Sequence, residues 1–394
     1  MELQPKLTRE FPDFDLDPMP VEPYLSDDIY DMERERIFRR SWLMVGRVEE
    51  IPDPGDFLVK NLDVLNASII VIRAKNGEVR AFHNVCKHRA SRLLSGTGSR
   101  KYITCPFHGW TYDIEGNLLS VTQEEAFPSL CKSENGLAPV HVDTWAGKIF
   151  INLLKEPMES LPDFLGGMKA HLDPYPFEDL VLVGKYTQVL DANWKLAMHN
   201  TQEIYHLPGL HSRTIPGGFS AIEKVRFYGP HQIGSNAGDA NYKPTPAERI
   251  AQRLGSTASE EGAALSRGMR DQALRGLNVD NLKGFAFDFA TIFPNHIMTI
   301  GDGWVFSYNY WPISAKRTLL EINRFYERPK KPSDVIGREF ALVVMREADC
   351  EDGLSIEECQ KGLSSGTMNH IHFGDQEILC RHLHKVATDW IAKK

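Results

Sequence analysis

The chain has 394 residues, a length that suggests two or three domains, and is 42% hydrophobic and 25% charged, enough apolar material for at least one substantial core. Lys+Arg 45 against Asp+Glu 53 leaves a net charge of −8, which repels phosphate backbones and anionic lipid and argues against nucleic-acid or membrane partners. No run approaches the ~20 apolar residues of a membrane span. No basic-then-apolar leader opens the chain, so a cytoplasmic location is expected, with the six cysteines as reduced thiols or metal ligands.

Residues 1–24 carry five prolines and read as an extended arm. Asp27 to Trp42 reads as a helix, with Ile29, Met32, Ile37 and Phe38 at helical spacing, acids early and Arg39-Arg40 late. From residue 44 short β-like runs follow: Phe57–Val59, Ser68–Ile72, Lys101–Thr104 and Gly147–Ile151, with turn signals at Asn76-Gly77 and Glu115-Gly116-Asn117. These predict a small all-β domain over 44–155, and the proline-bearing stretch from Pro157 to Pro176 predicts a linker.

The remainder, 156–394, is mixed. Asn193 to His206 is helical in texture, 285–327 holds two or three alternating strands, and 333–348 and 375–394 again predict helices. Residues 214–284, rich in Gly, Ser and charge, exceed an ordinary connection and predict either a surface excursion or a lid over a pocket. The aromatic series Phe285, Phe287, Phe289 and Trp304, Phe306, Tyr308 has period 2, which suits sheet core or one wall of such a pocket.

Two constellations carry chemistry. Cys86-Lys87-His88 and Cys105-Pro106-Phe107-His108 form a C-x-H, sixteen-residue, C-x2-H pattern in which each half is mixed. Zinc fingers pair Cys with Cys and place the two His on a helix. Mixed halves among strands favour a [2Fe–2S] cluster with two cysteines on one iron and two histidines on the other, zinc being the alternative. The second constellation is Glu203, His206 and His211. Glu203 and His206, at i,i+3, are expected on one helix face, and Pro208-Gly209 is expected to break the helix so that His211 can swing back. Two histidines and one carboxylate with open positions describe a non-haem Fe(II) site.

With Phe38–Leu43, Ile51-Pro52 to Phe57, Gly109-Trp110-Thr111-Tyr112-Asp113 and Asn193-Trp194-Lys195 added, most of the chain resembles the α subunits of Rieske non-haem iron oxygenases. The resemblance implies an α+β fold: an all-β Rieske domain and a catalytic domain with a central antiparallel, helix-grip sheet flanked by helices, residues 1–43 packing on the latter. It assigns Asp352 as the third iron ligand by the Glu351-Asp352-Gly353 stretch, with Asp349 and Glu351 as alternatives of register. It gives Glu203 the role of an acid bridging a cluster histidine, His108, of one subunit to His206 of the next in a homotrimer, with or without a small β subunit. This Glu stands where the family usually has Asp, and His199 where it often has Glu, so His199 is either a core histidine or one that acts beside the pocket. With no G-x-G-x-x-G after a strand, NAD(P)H electrons are expected through a separate reductase, with or without ferredoxin. The implied activity is oxygenation of an aromatic or other apolar compound with O2. The alternatives are a monooxygenase or demethylase of quaternary ammonium compounds, a Rieske electron carrier, and a zinc-stabilised interaction protein.

Overall fold

The computed structural model describes residues 6–14, 16–215, 219–238, 246 and 275–393. The chain divides into two compact units, Arg34–Phe164 and the discontinuous Met1–Glu33 with Leu165–Lys394. The divisions therefore fall at 33/34 and 164/165, where the sequence had suggested 43/44 and 155/156. Among the described residues no helix is long and apolar enough to cross a membrane.

The arm begins with a single turn, α1 (Leu7–Glu10), and a two-residue strand, β1 (Met19–Pro20), and leads into α2 (Asp27–Glu33). The helix expected to reach Trp42 changes at Arg34 into a π turn over Arg34–Phe38, closed by Arg39 N–H donating to Arg34 C=O at 3.0 Å.

The Arg34–Phe164 unit is all β. Its larger sheet contains β2 (Leu43–Arg47), β3 (Asp56–Leu62), β4 (Ala67–Arg73), β5 (Val79–His83), β6 (Thr97–Ser99), β10 (Pro139–Trp145) and β11 (Lys148–Asn152), ordered β2-β11-β10-β5-β4-β3-β6. A smaller sheet is built of β7 (Tyr102–Thr104), β8 (Thr111–Asp113) and β9 (Leu118–Ser120). Phe57, Ile70, Ile72, Phe82, Ile103 and Tyr112 fill the core, and Cys86 and Cys105 sit within it.

The predicted linker is largely helical. Leu161–Leu172 forms α3, kinked at Gly166 (φ 47°). Its apolar residues Leu161, Phe164, Leu165, Met168 and Leu172 fall at helical spacing, and burying that stripe outweighs the local proline and glycine signal.

The second unit is built on a seven-stranded antiparallel sheet ordered β12-β18-β17-β16-β15-β14-β13. Its strands are β12 (Leu180–Leu190), β13 (Phe219–Tyr228), β14 (His231–Gly238), β15 (Phe285–Ile292), β16 (His296–Gly301), β17 (Trp304–Ser314) and β18 (Arg317–Glu327). The lid expectation for 214–284 is thus corrected at its start. Residues 219–238 form a hairpin of the central sheet, their small polar residues being tolerated at strand positions that pair on both sides. The sequence also suggests a polar helical stretch around Glu260–Arg275, which lies outside the described residues apart from Arg275 itself. Helices α4 (Trp194–Thr201), α5 (Leu207–Leu210), α6 (Pro332–Ser364) and α7 (Ile378–Ala392) complete the unit with β19 (His370–Ile371).

The arm is tied into this unit. β1 pairs with β19, and the Asp375 carboxylate accepts the N–H groups of Lys6, Leu7 and Thr8. Glu33, 1% exposed, pairs with the equally buried Lys195 and accepts the Trp194 indole N–H at 2.8 Å. Both partners sit at the start of α4, so the arm fixes the helix that leads into the site.

Candidate functional site

Cys86 and His88 lie on the loop after β5, and Cys105 and His108 on the turn between β7 and β8. Each turn is held by its own backbone. Ala90 N–H donates to Cys86 C=O, and Gly109 N–H to Cys105 C=O, both at 3.0 Å. Gly109 has φ +74°, and a Cβ there would lie 2.8 Å from Thr122 Oγ1, so only glycine fits without strain. The cysteines are 2–3% exposed, whereas both imidazoles reach the partly open tip, their Nδ1 atoms 3.2 Å apart. His88 stacks on Trp110 at 4.9 Å and 9°.

Burial pushes the Cys86 thiol up. Burial also opposes ionisation of Cys105, but backbone N–H groups of Phe107 and His108, with Cys86 and Ser91, hold that thiol below its ordinary value. A single tetrahedral zinc would draw all four ligand atoms within about 4 Å of one another. Among the described residues, the group of three or more His, Cys, Asp or Glu ligand atoms that meets within 4.8 Å lies elsewhere. Paired thiols and paired imidazoles, separate from each other, fit a two-iron cluster.

That other group is His206, His211 and Asp352. The local structure differs from the expectation of a helix broken at Pro208-Gly209. α4 already ends at Thr201, and Pro208, in the first turn of α5, starts a new turn, as its fixed φ and missing N–H favour. Glu203 and His206 therefore meet on the loop between α4 and α5. Glu203 accepts the backbone N–H of Tyr205 and of His206, and its other oxygen contacts His206 Nδ1. His211 Nδ1 lies 2.7 Å from Glu351 Oε2, which also accepts the Thr214 hydroxyl at 2.6 Å. Each imidazole is thus gripped at Nδ1 by a carboxylate, leaving both Nε2 atoms toward Asp352 Oδ1, at 2.8 Å from His211 and 3.7 Å from His206. Asp352 Oδ1 is buried and takes no hydrogen bond. The three ligand atoms lie within 4.8 Å of one another, which fits a metal ion.

Burial disfavours charge on His211, but Asp352 and Glu351 beside it hold it above its ordinary value. Glu351 is held below its own by His211 and Thr214 against the pull of burial. The acids of α6 differ in their partners. Asp352 joins the histidines, Glu351 supports His211 from behind, and Asp349 turns to Arg324 and to the Tyr186 hydroxyl at 2.8 Å. Gly353 lets α6 lie close on β12, since a Cβ there would meet Gln188 Nε2 at 2.0 Å.

A cavity opens beside this triad. Phe289, Thr299, Phe306 and Arg324 oppose one another in register across β15, β16, β17 and β18, so they share one sheet face. Phe287, Phe289, Trp304, Phe306 and Tyr308 line the cavity on that side, and the 340–352 stretch of α6 lines the other. The charged lining residues are Glu203, Asp349 and Asp352, with no Lys or Arg among the described ones. His199 stands apart from this wall. It is 5% exposed and packs on Tyr24 and Phe373, with burial, His384 and Lys195 keeping it well below its ordinary pKa. The support from Glu351 and the Arg324–Asp349–Tyr186 group had no local signal in the sequence, because their partners lie 25 to 163 positions apart.

The model described as ring hydroxylating alpha subunit (catalytic domain) matches residues 177–393, and the Rieske [2Fe-2S] domain matches residues 41–133. The glycine betaine monooxygenase oxygenase subunit of Pseudomonas aeruginosa is 38% identical over 194 residues, 49% of this chain and 44% of that protein. The carnitine monooxygenase oxygenase subunit of Acinetobacter baumannii is 33% identical over 208 residues, 52% and 54% respectively. The α subunit of biphenyl 2,3-dioxygenase of Rhodococcus jostii is 33% identical over 270 residues, 59% and 58%. The chain spans about half the length of the curated relatives it matches. In fold it is similar to the quaternary ammonium Rieske monooxygenase CntA in complex with L-carnitine (TM-score 0.74, 23% identity, 96% of this chain and 97% of that one). It is likewise similar to naphthalene 1,2-dioxygenase from Rhodococcus sp. bound to indole (TM-score 0.74, 22% identity, 96% and 95%). With both domain models matched across residues 41–133 and 177–393, the chain belongs to the ring-hydroxylating α-subunit family of Rieske oxygenases.

Proposed function

We propose that the chain is a terminal oxygenase that takes electrons from a separate NAD(P)H-dependent reductase, with or without ferredoxin, and inserts oxygen from O2 into a small organic substrate. Cys86, His88, Cys105 and His108 would hold the [2Fe–2S] cluster, and His206, His211 and Asp352 the mononuclear Fe(II). The cluster would supply single electrons, and an iron with three protein ligands would supply reductive activation of O2. The protein's own part is positional. Glu203 and Glu351 set the tautomer and direction of His206 and His211, and the aromatic wall excludes water and seats the apolar body of the substrate. In a homotrimer, Glu203 would stand between His206 of its own chain and His108 of a neighbour and serve as the electron bridge.

The observation that carries this reading is the meeting of two carboxylate-backed imidazoles with the Asp352 carboxylate in the wall of an aromatic-lined cavity. A single-turnover experiment tests it: anaerobically reduced protein is mixed with O2 and a panel of aromatic and quaternary ammonium compounds. A product bearing oxygen from O2, or lacking a methyl group, supports the reading. His206→Ala should keep the cluster spectrum and abolish product; if function survives, the electron-carrier reading replaces it. Oxygenation of an aromatic or other apolar compound is the first reading of the substrate. A quaternary ammonium compound is the second, favoured by a wall that carries acids and no Lys or Arg among its described residues.

A further inference from the structure

Tyr24, contributed by the arm, is fully buried, and its hydroxyl lies 3.2 Å from Nδ1 of His384 on α7. The two rings are 6.0 Å apart and 29° from parallel. A phenol that loses an electron becomes a far stronger acid than imidazolium, so a phenol bonded to a neutral imidazole can release its electron and its proton together. Burial, with Cys380 and Glu33, pushes the Tyr24 hydroxyl well up, so at rest it is a phenol. Burial, with Lys195 and Arg381, lowers His384 to about 4, so its ring is neutral at pH 7.

The surroundings favour that coupled step. Lys195 Nζ, paired with Glu33, lies 5.5 Å from the Tyr24 centroid and opposes loss of an electron without the proton. His384 also lines a cavity between the arm, at Phe14 and Met19, and α7, at Lys385 and Thr388, which gives the proton a way to water. On its other side Tyr24 faces the chain that leads to the mononuclear site. His199 meets it edge-on at 5.6 Å with no hydrogen bond at either nitrogen, and Glu203 follows four positions later. The His199 carbonyl accepts the Cys380 S–H at 3.6 Å. Burial, with Glu203 and Glu377, pushes that thiol well up, so Cys380 stays protonated and resists oxidation itself.

We propose that Tyr24 and His384 form a redox pair that drains oxidising equivalents from the mononuclear site when no substrate is there to consume them. This rests on the oxygenase reading. The oxidant is hydrogen peroxide, which takes two electrons and two protons to give two waters. One electron comes from the ferrous iron and one from Tyr24, and the protons of the water come from solvent. At Tyr24 the O–H bond breaks, an N–H bond forms at His384 Nδ1, and a neutral phenoxyl radical remains. A one-electron reductant in solution, a thiol or ascorbate, restores the phenol as His384 returns the proton.

The test mixes protein carrying cluster and Fe(II), without substrate, with hydrogen peroxide and freezes it for EPR. Ring-deuterated tyrosine in the growth medium identifies a phenoxyl signal. The wild-type protein is expected to give that signal, and protein with the cluster but no mononuclear iron to give none. Tyr24→Phe keeps the ring and should abolish the signal, while peptide mass spectrometry should show a severalfold rise in oxidised His206 and His211. His384→Ala should lose most of the signal, and free imidazole, entering the vacated space from the cavity, should restore it. Tyr175→Phe is the control, since that buried hydroxyl bonds only backbone carbonyls of Gly301 and Trp304, and should change neither readout. The proposal is overturned by a wild-type protein without the signal, or by a signal that survives in Tyr24→Phe or without iron. Unchanged histidine oxidation in Tyr24→Phe overturns it too, and if that variant does not fold, a His384→Ala signal equal to wild type or not restored by imidazole does the same. Oxygenated product without the Tyr24 radical sinks the redox pair alone; the radical without product from any compound of the panel sinks the oxygenase reading alone.

Discussion

Replacing Glu351 by Ala should loosen the mononuclear site without touching a ligand. The carboxylate takes two hydrogen bonds on one oxygen, from His211 at 2.7 Å and Thr214 at 2.6 Å. A hydrogen bond to a charged group contributes about 1.5–3 kcal/mol when well desolvated. The Glu351 side chain is 30% exposed, so solvent screening points to the lower part of that range, roughly 1.5–2 kcal/mol. At about 1.4 kcal/mol per tenfold, metal affinity should fall by a factor on the order of 10 to 30, in keeping with the loss usual when a group orienting a ligand is removed. The assay is an anaerobic titration of cluster-loaded protein with Fe(II) against a competing chelator. Glu358→Ala serves as control, since Glu358 lies on the same helix and pairs with Lys361 at the surface. Affinity within twofold of wild type in a folded Glu351→Ala protein, or an equal loss in the control, would refute the role given to Glu351.

Other consequences can be checked directly. Glu33→Ala leaves Lys195 buried without its counter-ion and should cost about 3–5 kcal/mol, read as a lower urea midpoint; a loss below about 1 kcal/mol would show that the pair is not the anchor of the arm. Gly109→Ala forces a side chain into the left-handed region and against Thr122, a cost of about 1–2 kcal/mol, and should speed cluster loss to a chelator, seen in the visible spectrum. Stability should fall as pH drops from 6.5 toward 4. Burial lowers His171, His382 and His384 to about 4, so the unfolded chain takes up protons there that the folded chain refuses. Asp288 acts in the opposite sense. Burial raises it to about 7, so its contribution is present at low pH and is lost as pH rises from about 4 through 7. The three histidines outweigh it, and urea midpoints that stay flat or rise on acidification from pH 6.5 to 4.5 would contradict this balance.

The sequence was most informative where ligand-bearing residues lie close together in the chain. Cys86/His88, Cys105/His108 and His206/His211 are local motifs, and their turns follow from a few glycines and prolines. The carboxylate was another matter. Glu347, Asp349, Glu351 and Asp352 are indistinguishable by composition, and what separates them is a helix of 33 residues, far longer than the segment that periodicity suggested. Once that helix exists, Asp349 and Asp352 share a face, while Glu351, one position round, reaches His211 from behind. β13 and β14 escaped notice because Gly234, Ser235, Asn236 and Gly238 resemble loop, yet both neighbours of β14 in the sheet supply its hydrogen bonds. β16 escaped for the same reason at Asn295 and His296. Pairing decides such strands, and pairing is a property of residues distant in sequence.

The ties between residues 1–33 and the later unit bear on how the chain assembles during synthesis. The stretch 34–164 is contiguous and can complete its core as soon as it has emerged. The arm cannot: Glu33 waits for Lys195, and β1 and the first turn wait for β19 and Asp375, which are made near the end. Until then the arm is an unoccupied strand edge preceding a finished domain, and the same complementary surfaces exist on every nascent copy. High expression should therefore favour exchange of arms between molecules, and slowed translation before residue 370 should aggravate it.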